Sequence, residues 1–195
     1  VPRRRHLRAT IRIPATSANL GSGFDTLGIA LALYNRVIVE DLADWSGPMK
    51  PSIVVRGEGS DELPRDGRNL IHQTMMKFFQ IIDRQAPAFA LETRNLIPLS
   101  GGLGSSSAAL VGGLLAGNFL AGTPLSRDEI LRIAHDEEGH PDNVAPALMG
   151  GLVLCVADGD RLTSVALPVP FDLHAVLFIP DFAMPSFSRL VTRWT

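Results

Sequence analysis

The stretch Pro98-Leu99-Ser100-Gly101-Gly102-Leu103-Gly104-Ser105-Ser106-Ser107-Ala108 constrains this chain more than any other. It follows Phe89 to Arg94, which alternates apolar and polar residues, and leads into Ser105 to Ala121, a run dominated by Ala, Leu and Gly. The alternation predicts a strand and the small apolar run a buried helix, so the glycine- and serine-rich segment is a strand-to-helix turn. Glycines there let the main chain approach a ligand closely. Serine hydroxyls and unpaired N–H groups at a helix N-terminus form an anion site, with phosphate as its natural occupant. The stretch is not a Walker A loop, because no Lys precedes its serines, and not a GxGxxG loop, because Ser107 stands where the last glycine would be. Alone, it leaves open an ordinary glycine-rich turn that caps a helix with serines.

The rest of the chain supplies a domain around that turn. Its 195 residues are 46% hydrophobic and 19% charged, which suits one domain with a real core and excludes disorder or a disulfide-stapled miniprotein. Strands are predicted at Thr10 to Pro14, Ile29 to Glu40, Pro51 to Arg56, Leu152 to Ala157, around Val165 and at His174 to Ile179. Helical spacing marks Asn69 to Asp83. Ser126 and Glu129 form a capping-box pair that opens a helix over Arg127 to Glu138. Strands dominate early and two clear helices bracket a polar loop, which favours an α+β domain over alternating βαβ units.

Charge and cysteine content narrow the partners. With 18 Lys and Arg against 20 Asp and Glu the net charge is −2, which argues against a nucleic-acid partner, and Arg3-Arg4-Arg5 reads as a solvated tail. The single cysteine, Cys155, lies in an apolar run and reads as a small core residue. No apolar run is long enough to span a membrane and no signal-peptide pattern is present, so the expectation is a cytoplasmic protein without a membrane partner.

Two further stretches could carry chemistry. In Pro14-Ala15-Thr16-Ser17-Ala18-Asn19-Leu20-Gly21-Ser22-Gly23-Phe24-Asp25, Asn19 and Asp25 offer an amide and a carboxylate that suit an ammonium or hydroxyl of a small polar substrate. In Glu137-Glu138-Gly139-His140-Pro141-Asp142-Asn143, either glutamate could give a magnesium–nucleotide complex its hard oxygen ligand, with a loop serine as another. Taken alone, two acids at a helix end are more often a solvated terminus, and His140 reads as a hydrogen-bonding residue rather than a general base.

Together and in this order, PATSANLGSGFD, PLSGGLGSSSA and EGHPDNVAPALMGG resemble the GHMP small-molecule kinases. The first and third narrow the resemblance to the branch that phosphorylates L-homoserine, and it covers residues 9 to 186, with Ser22 where Pro is commoner. It implies a fold that begins with a ribosomal-protein-S5-domain-2-like ATP-binding domain, here residues 1 to 168. The start of a ferredoxin-like second domain would occupy residues 169 to 195. It also implies transfer of phosphate from ATP, with Mg²⁺, to the L-homoserine hydroxyl in threonine biosynthesis, and it leaves room for a homodimer. Carried over by position, Pro98 to Ala108 would wrap the nucleotide phosphates, Asn69 would contact adenine, and Ser106 and Glu138 would hold Mg²⁺. Asn19, Asp25, Asp142 and Asn143 would bind homoserine, the last two beside the reacting hydroxyl.

After Ile179-Pro180-Asp181-Phe182 the resemblance fades. Arg189 falls one place early for the family's substrate-binding arginine, and codons for Ser188 to Trp194 can be chosen so that the next reading frame looks closer to the family. The expectation is a tail read out of frame and a chain that is weakly active or inactive as a kinase.

Overall fold

The computed structural model describes residues 7–42, 52–159, 161–170 and 172–177. Its elements in chain order are β1 (Arg8–Ala18), β2 (Leu27–Asp41), β3 (Ser52–Gly57), α1 (Leu70–Ile81), β4 (Phe89–Asn95), α2 (Ser105–Leu120), α3 (Arg127–Glu138), α4 (Val144–Met149), β5 (Leu152–Asp158) and β6 (Arg161–Leu167). They form one mixed sheet with the helices packed against it, the α+β arrangement expected from the order of elements.

The long strand β2 organises the sheet. β1 pairs antiparallel along one of its edges, while its other edge takes β4 at one end (Arg36–Asp41) and β5 at the other (Leu27–Ile29). β6 pairs antiparallel with β5. β3 runs parallel to β4, so β3–α1–β4 is one crossover unit inside a sheet whose other pairings are antiparallel. Between Pro14 and Ala15 the β1 pairing jumps from Tyr34 to Leu31. β1 alternates as far as Arg12, with Arg8, Thr10 and Arg12 exposed; Ile13 and Pro14 before the irregularity and Ala15 and Thr16 after it are all buried. The shift thus brings a polar residue, Thr16, into the interior at the strand's end.

α2 is the central helix of the other layer. Val111 and Leu114 are fully buried, and its glycines are points of close approach. A Cβ on Gly112 would come within 2.9 Å of Val37, one on Gly113 within 2.7 Å of Thr74, and one on Gly117 within 2.8 Å of the Phe78 ring. The small residues therefore let α2 lie against the sheet on one side and α1 on the other, as the composition of the run predicts.

Several expected elements shift. Residues 15–18 belong to β1 and 27–28 to β2, so the first polar loop is residues 19–26. Asn69 is the cap of α1 rather than its first residue. The stretch after α3 contains a helix the sequence did not signal, α4, in which Pro146 sits in the first turn, where a missing N–H leaves no hydrogen bond unmade. The strand expected at His174 to Ile179 is a correction: residues 173–177 pair with no strand, and Val176 is 97% exposed. The remainder of that stretch and the tail with Arg189 lie outside the described residues. Cys155 is buried in the core as expected, and burial raises its thiol pKa to about 11, so it stays protonated.

Gly117→Val should destabilise the fold by about 1–3 kcal/mol, because its branched side chain would have to displace the Phe78 ring. Urea unfolding should show a lower midpoint at an unchanged slope.

Candidate active site

The phosphate-type turn is held from below by amides the sequence did not single out. Asn35 on β2 accepts hydrogen bonds from the N–H groups of Leu96 (2.8 Å) and Ile97 (3.0 Å), and Asn95 donates to the Glu58 carbonyl at 3.1 Å. The exit of β4 into Pro98 and Leu99 is thereby fixed. Within the turn Ser100, Gly102 and Gly104 adopt left-handed backbone, at φ 57°, 69° and 66°. Leu103 and Ala108 are buried and anchor the turn in the core, whereas Ser100, Gly102 and Ser106 are exposed.

Gly104 is the cap residue of α2, and no side chain caps the helix. The N–H groups of its first turn, Ser105 to Ser107, are thus available at the positive end of a 16-residue helix. Only glycine fits here, because a Cβ would lie 2.0 Å from the Thr16 hydroxyl oxygen and 3.2 Å from the Asn143 amide oxygen. Thr16 ties the three stretches together. Its backbone N–H donates to the Leu103 carbonyl at 3.1 Å and its hydroxyl donates to Asn143 Oδ1 at 2.7 Å.

Asp142 sits beside this junction, 1% exposed. Asn19 donates to its Oδ2 at 2.9 Å, His140 Nδ1 lies 2.7 Å from its Oδ1, and Asn143 donates weakly to Oδ1 at 3.4 Å. The Asn19 side-chain oxygen Oδ1 accepts the Asp25 N–H at 2.8 Å, and both residues have left-handed backbone. Asn19 therefore shapes the loop from inside, and the Asp25 side chain stands in solvent at its rim. Gly28 packs directly under the Asp142 carbonyl, where a Cβ would come within 1.8 Å.

The two candidate glutamates separate. Glu137 forms a salt bridge with Lys77 on α1, so it is engaged away from the turn. Glu138 faces the turn and accepts from the buried Ser107 hydroxyl at 2.9 Å. The resemblance pairs Glu138 with Ser106 as cation ligands; in the structure the hydroxyl bonded to Glu138 is that of Ser107, with Ser106 exposed beside it. A carboxylate and hydroxyls beside free N–H donors fit a hard cation that completes its shell with water and phosphate oxygens. Asn69 is buried, accepts from the Ile71 and His72 N–H groups and donates to the Pro64 carbonyl, so its amide is used as a helix cap. Its link to the turn is indirect: the neighbouring Gly59 turn packs on Leu99.

His140 is held above its ordinary pKa of 6.5, chiefly by the hydrogen bond to Asp142; partial burial opposes this, and the charges of Asp142, Glu138 and Asp25 add to it. It thus serves as a partner to the buried carboxylate, as the sequence favoured.

Residues 69–151 match the family model described as the GHMP kinases N terminal domain. Over this segment the chain has the fold of that domain. Two of its sequence relatives share a name. The chain is 45% identical over 174 residues to the homoserine kinase of Carboxydothermus hydrogenoformans, covering 89% of this chain and 55% of that protein. It is 46% identical over 175 residues to the homoserine kinase of Synechocystis, covering 90% and 56%. The crystal structure of homoserine kinase from Cytophaga hutchinsonii superimposes with a TM-score of 0.71 at 29% identity, over 96% of this chain and 64% of that one. The chain spans just over half the length of the curated relatives it matches.

Because folding raises the His140 pKa above its unfolded value, protonated His140 stabilises the fold in full below about pH 6.5, and that contribution fades as pH rises through the folded value. NMR titration should show His140 titrating above 6.5, and Asp142→Asn should lower the value. An imidazole at its ordinary pKa would contradict the network.

Proposed function

We propose that this chain forms the nucleotide- and substrate-binding face of a homoserine kinase, which transfers the terminal phosphate of ATP to the L-homoserine hydroxyl and yields O-phospho-L-homoserine for threonine biosynthesis. The observation that carries this reading is the meeting of three distant stretches at Gly104, where Thr16, the turn into α2 and Asn143 lie within contact of one another. The names of the sequence relatives support the choice of substrate.

Phosphoryl transfer needs alignment and charge neutralisation more than covalent chemistry from the protein. In this reading the free N–H groups of Ser105 to Ser107 and the glycine backbone around Gly101 and Gly102 hold phosphate oxygens. Ser106, Ser107 and Glu138 hold Mg²⁺, which supplies charge neutralisation on the phosphates when bound. The exposed Asp25 carboxylate takes the substrate ammonium. Asp142 and Asn143 orient the hydroxyl, with Asn19 and His140 fixing the Asp142 carboxylate. A cytoplasmic setting and a homodimer belong to the same reading and rest on the resemblance to the family.

Binding is the property to measure on this chain, since it spans just over half the length of its relatives. Calorimetric titration should show Mg-ATP binding. Ser106→Ala and Glu138→Gln should weaken its magnesium-dependent part roughly tenfold, the scale of losing one charge-assisted contact. Asp25→Asn should weaken homoserine alone. A folded chain that binds neither ligand would overturn the proposal, and one that binds Mg-ATP with mevalonate or a sugar but not homoserine would point to another GHMP kinase.

A further inference from the structure

The sheet face turned away from α2 carries a row of arginines. Arg12 pairs in register with Arg36, Arg36 with Arg94, and Arg94 with Arg56, so four arginines stand side by side across β1, β2, β4 and β3. All four are exposed. Directly opposed residues share a face, and like charges so placed repel and destabilise a sheet. The structure offsets this only in part. Glu92 bridges Arg56 at 3.0 Å and Arg94 at 2.9 Å, and the Arg12 guanidinium lies 4.0 Å above the Tyr34 ring. Arg36, between Arg12 and Arg94, has neither kind of partner among the described residues. Arg8 extends the same face four residues along β1 and lies 3.8 Å from Glu40. The face is therefore cationic on a chain whose net charge is −2.

Apolar side chains are set among these charges. Val54 is 40% exposed, and Ile38, which stands outside the core cluster, is nevertheless buried, as expected where long cationic stems lie along apolar surface. Arginine and tyrosine interspersed with aliphatic residues is the composition of a protein-docking surface. A nucleic-acid strand would need aromatic faces for its bases, and the Tyr34 ring is covered by Arg12.

We propose that this face docks an extended acidic segment of a partner protein. Strands lie about 4.8 Å apart, so the arginine row spans about 14 Å, and same-side residues of an extended segment recur every ~6.7 Å. About three carboxylates at alternate positions would then span the row, each within reach of guanidinium forks that bind carboxylates in pairs. Such a segment removes the repulsion that Arg36 meets in the free sheet. The proposal is independent of the kinase reading, because the face lies on the opposite side of the sheet from α2.

The test is fluorescence anisotropy of the full chain with a labelled peptide of alternating glutamate and serine. Binding should weaken with salt. Arg36→Glu should weaken it about tenfold or more, while Arg127→Glu on α3 should leave it within about twofold. Arg36→Gln, which keeps the stem, carries the same comparison if charge reversal unfolds the chain. It should itself raise the melting temperature by about 1–3 °C through relief of repulsion. The proposal is overturned by no binding, by equal binding of a glutamine–serine peptide, or by binding indifferent to both Arg36 variants. Tighter binding of oligothymidylate would assign the face to a nucleic acid instead. A salt-sensitive dimer in ultracentrifugation that Arg36→Glu abolishes would assign it to a second copy of the chain.

Discussion

The Asp142 carboxylate is shielded from solvent, and the architecture of the site follows from how that group is satisfied. A buried carboxylate is tolerated only when its oxygens are hydrogen-bonded and its charge is matched. Here an amide from the first loop reaches one oxygen, while the imidazole of His140 and the Asn143 amide serve the other. Asn19 lies 123 residues from Asp142 in the sequence, so satisfying one group closes the first loop onto the segment before α4. Removing any partner exposes the cost of the buried charge, which makes this network specify one loop geometry rather than merely add stability.

That closure depends in turn on β2. One strand carries β1 along its whole length and divides its other edge between β4 and β5. Its β4 end, through Asn35, fixes the entry to the glycine turn; its β5 end, through Gly28, supports the Asp142 backbone. The turn and the buried carboxylate are thus positioned from two points along the same strand, Asn35 near its middle and Gly28 near its start. The register shift at Pro14 and Ala15 lets β1 deliver Thr16 between them.

Much of this was legible from residue patterns, because the relevant signals were local. Ser126 and Glu129 form the reciprocal capping box expected of them, and the glycine turn lies between a strand and a buried helix as read. What escaped was set by tertiary contact. Thr16 lies in a run of small polar residues with nothing to single it out, and its importance comes from a register shift that depends on pairing with β2. α4 is too short for a periodic pattern, and Pro146 reads as a breaker unless its first-turn position is known. Ser106 and Ser107 are equivalent in sequence; helix rotation buries one against Glu138 and exposes the other. Asn69 illustrates the converse: its side chain is committed to the cap of α1 before any ligand is considered.

The charge distribution acquires a cause from the same geometry. A site that takes phosphate oxygens on backbone N–H groups and neutralises them through a carboxylate-held cation has little need of arginine or lysine. None stands in the turn, and Lys77 on α1 is engaged by Glu137. The near-neutral total therefore conceals a separation: no Lys or Arg stands in the glycine turn, while four arginines share the opposite face of the sheet. On that face β-strand register places them in the arrangement most costly to leave uncovered, four abreast with one carboxylate bridging the last two. A fold stabilised by only a small margin tolerates such a row at a few tenths of a kcal/mol per pair, provided salt screens it.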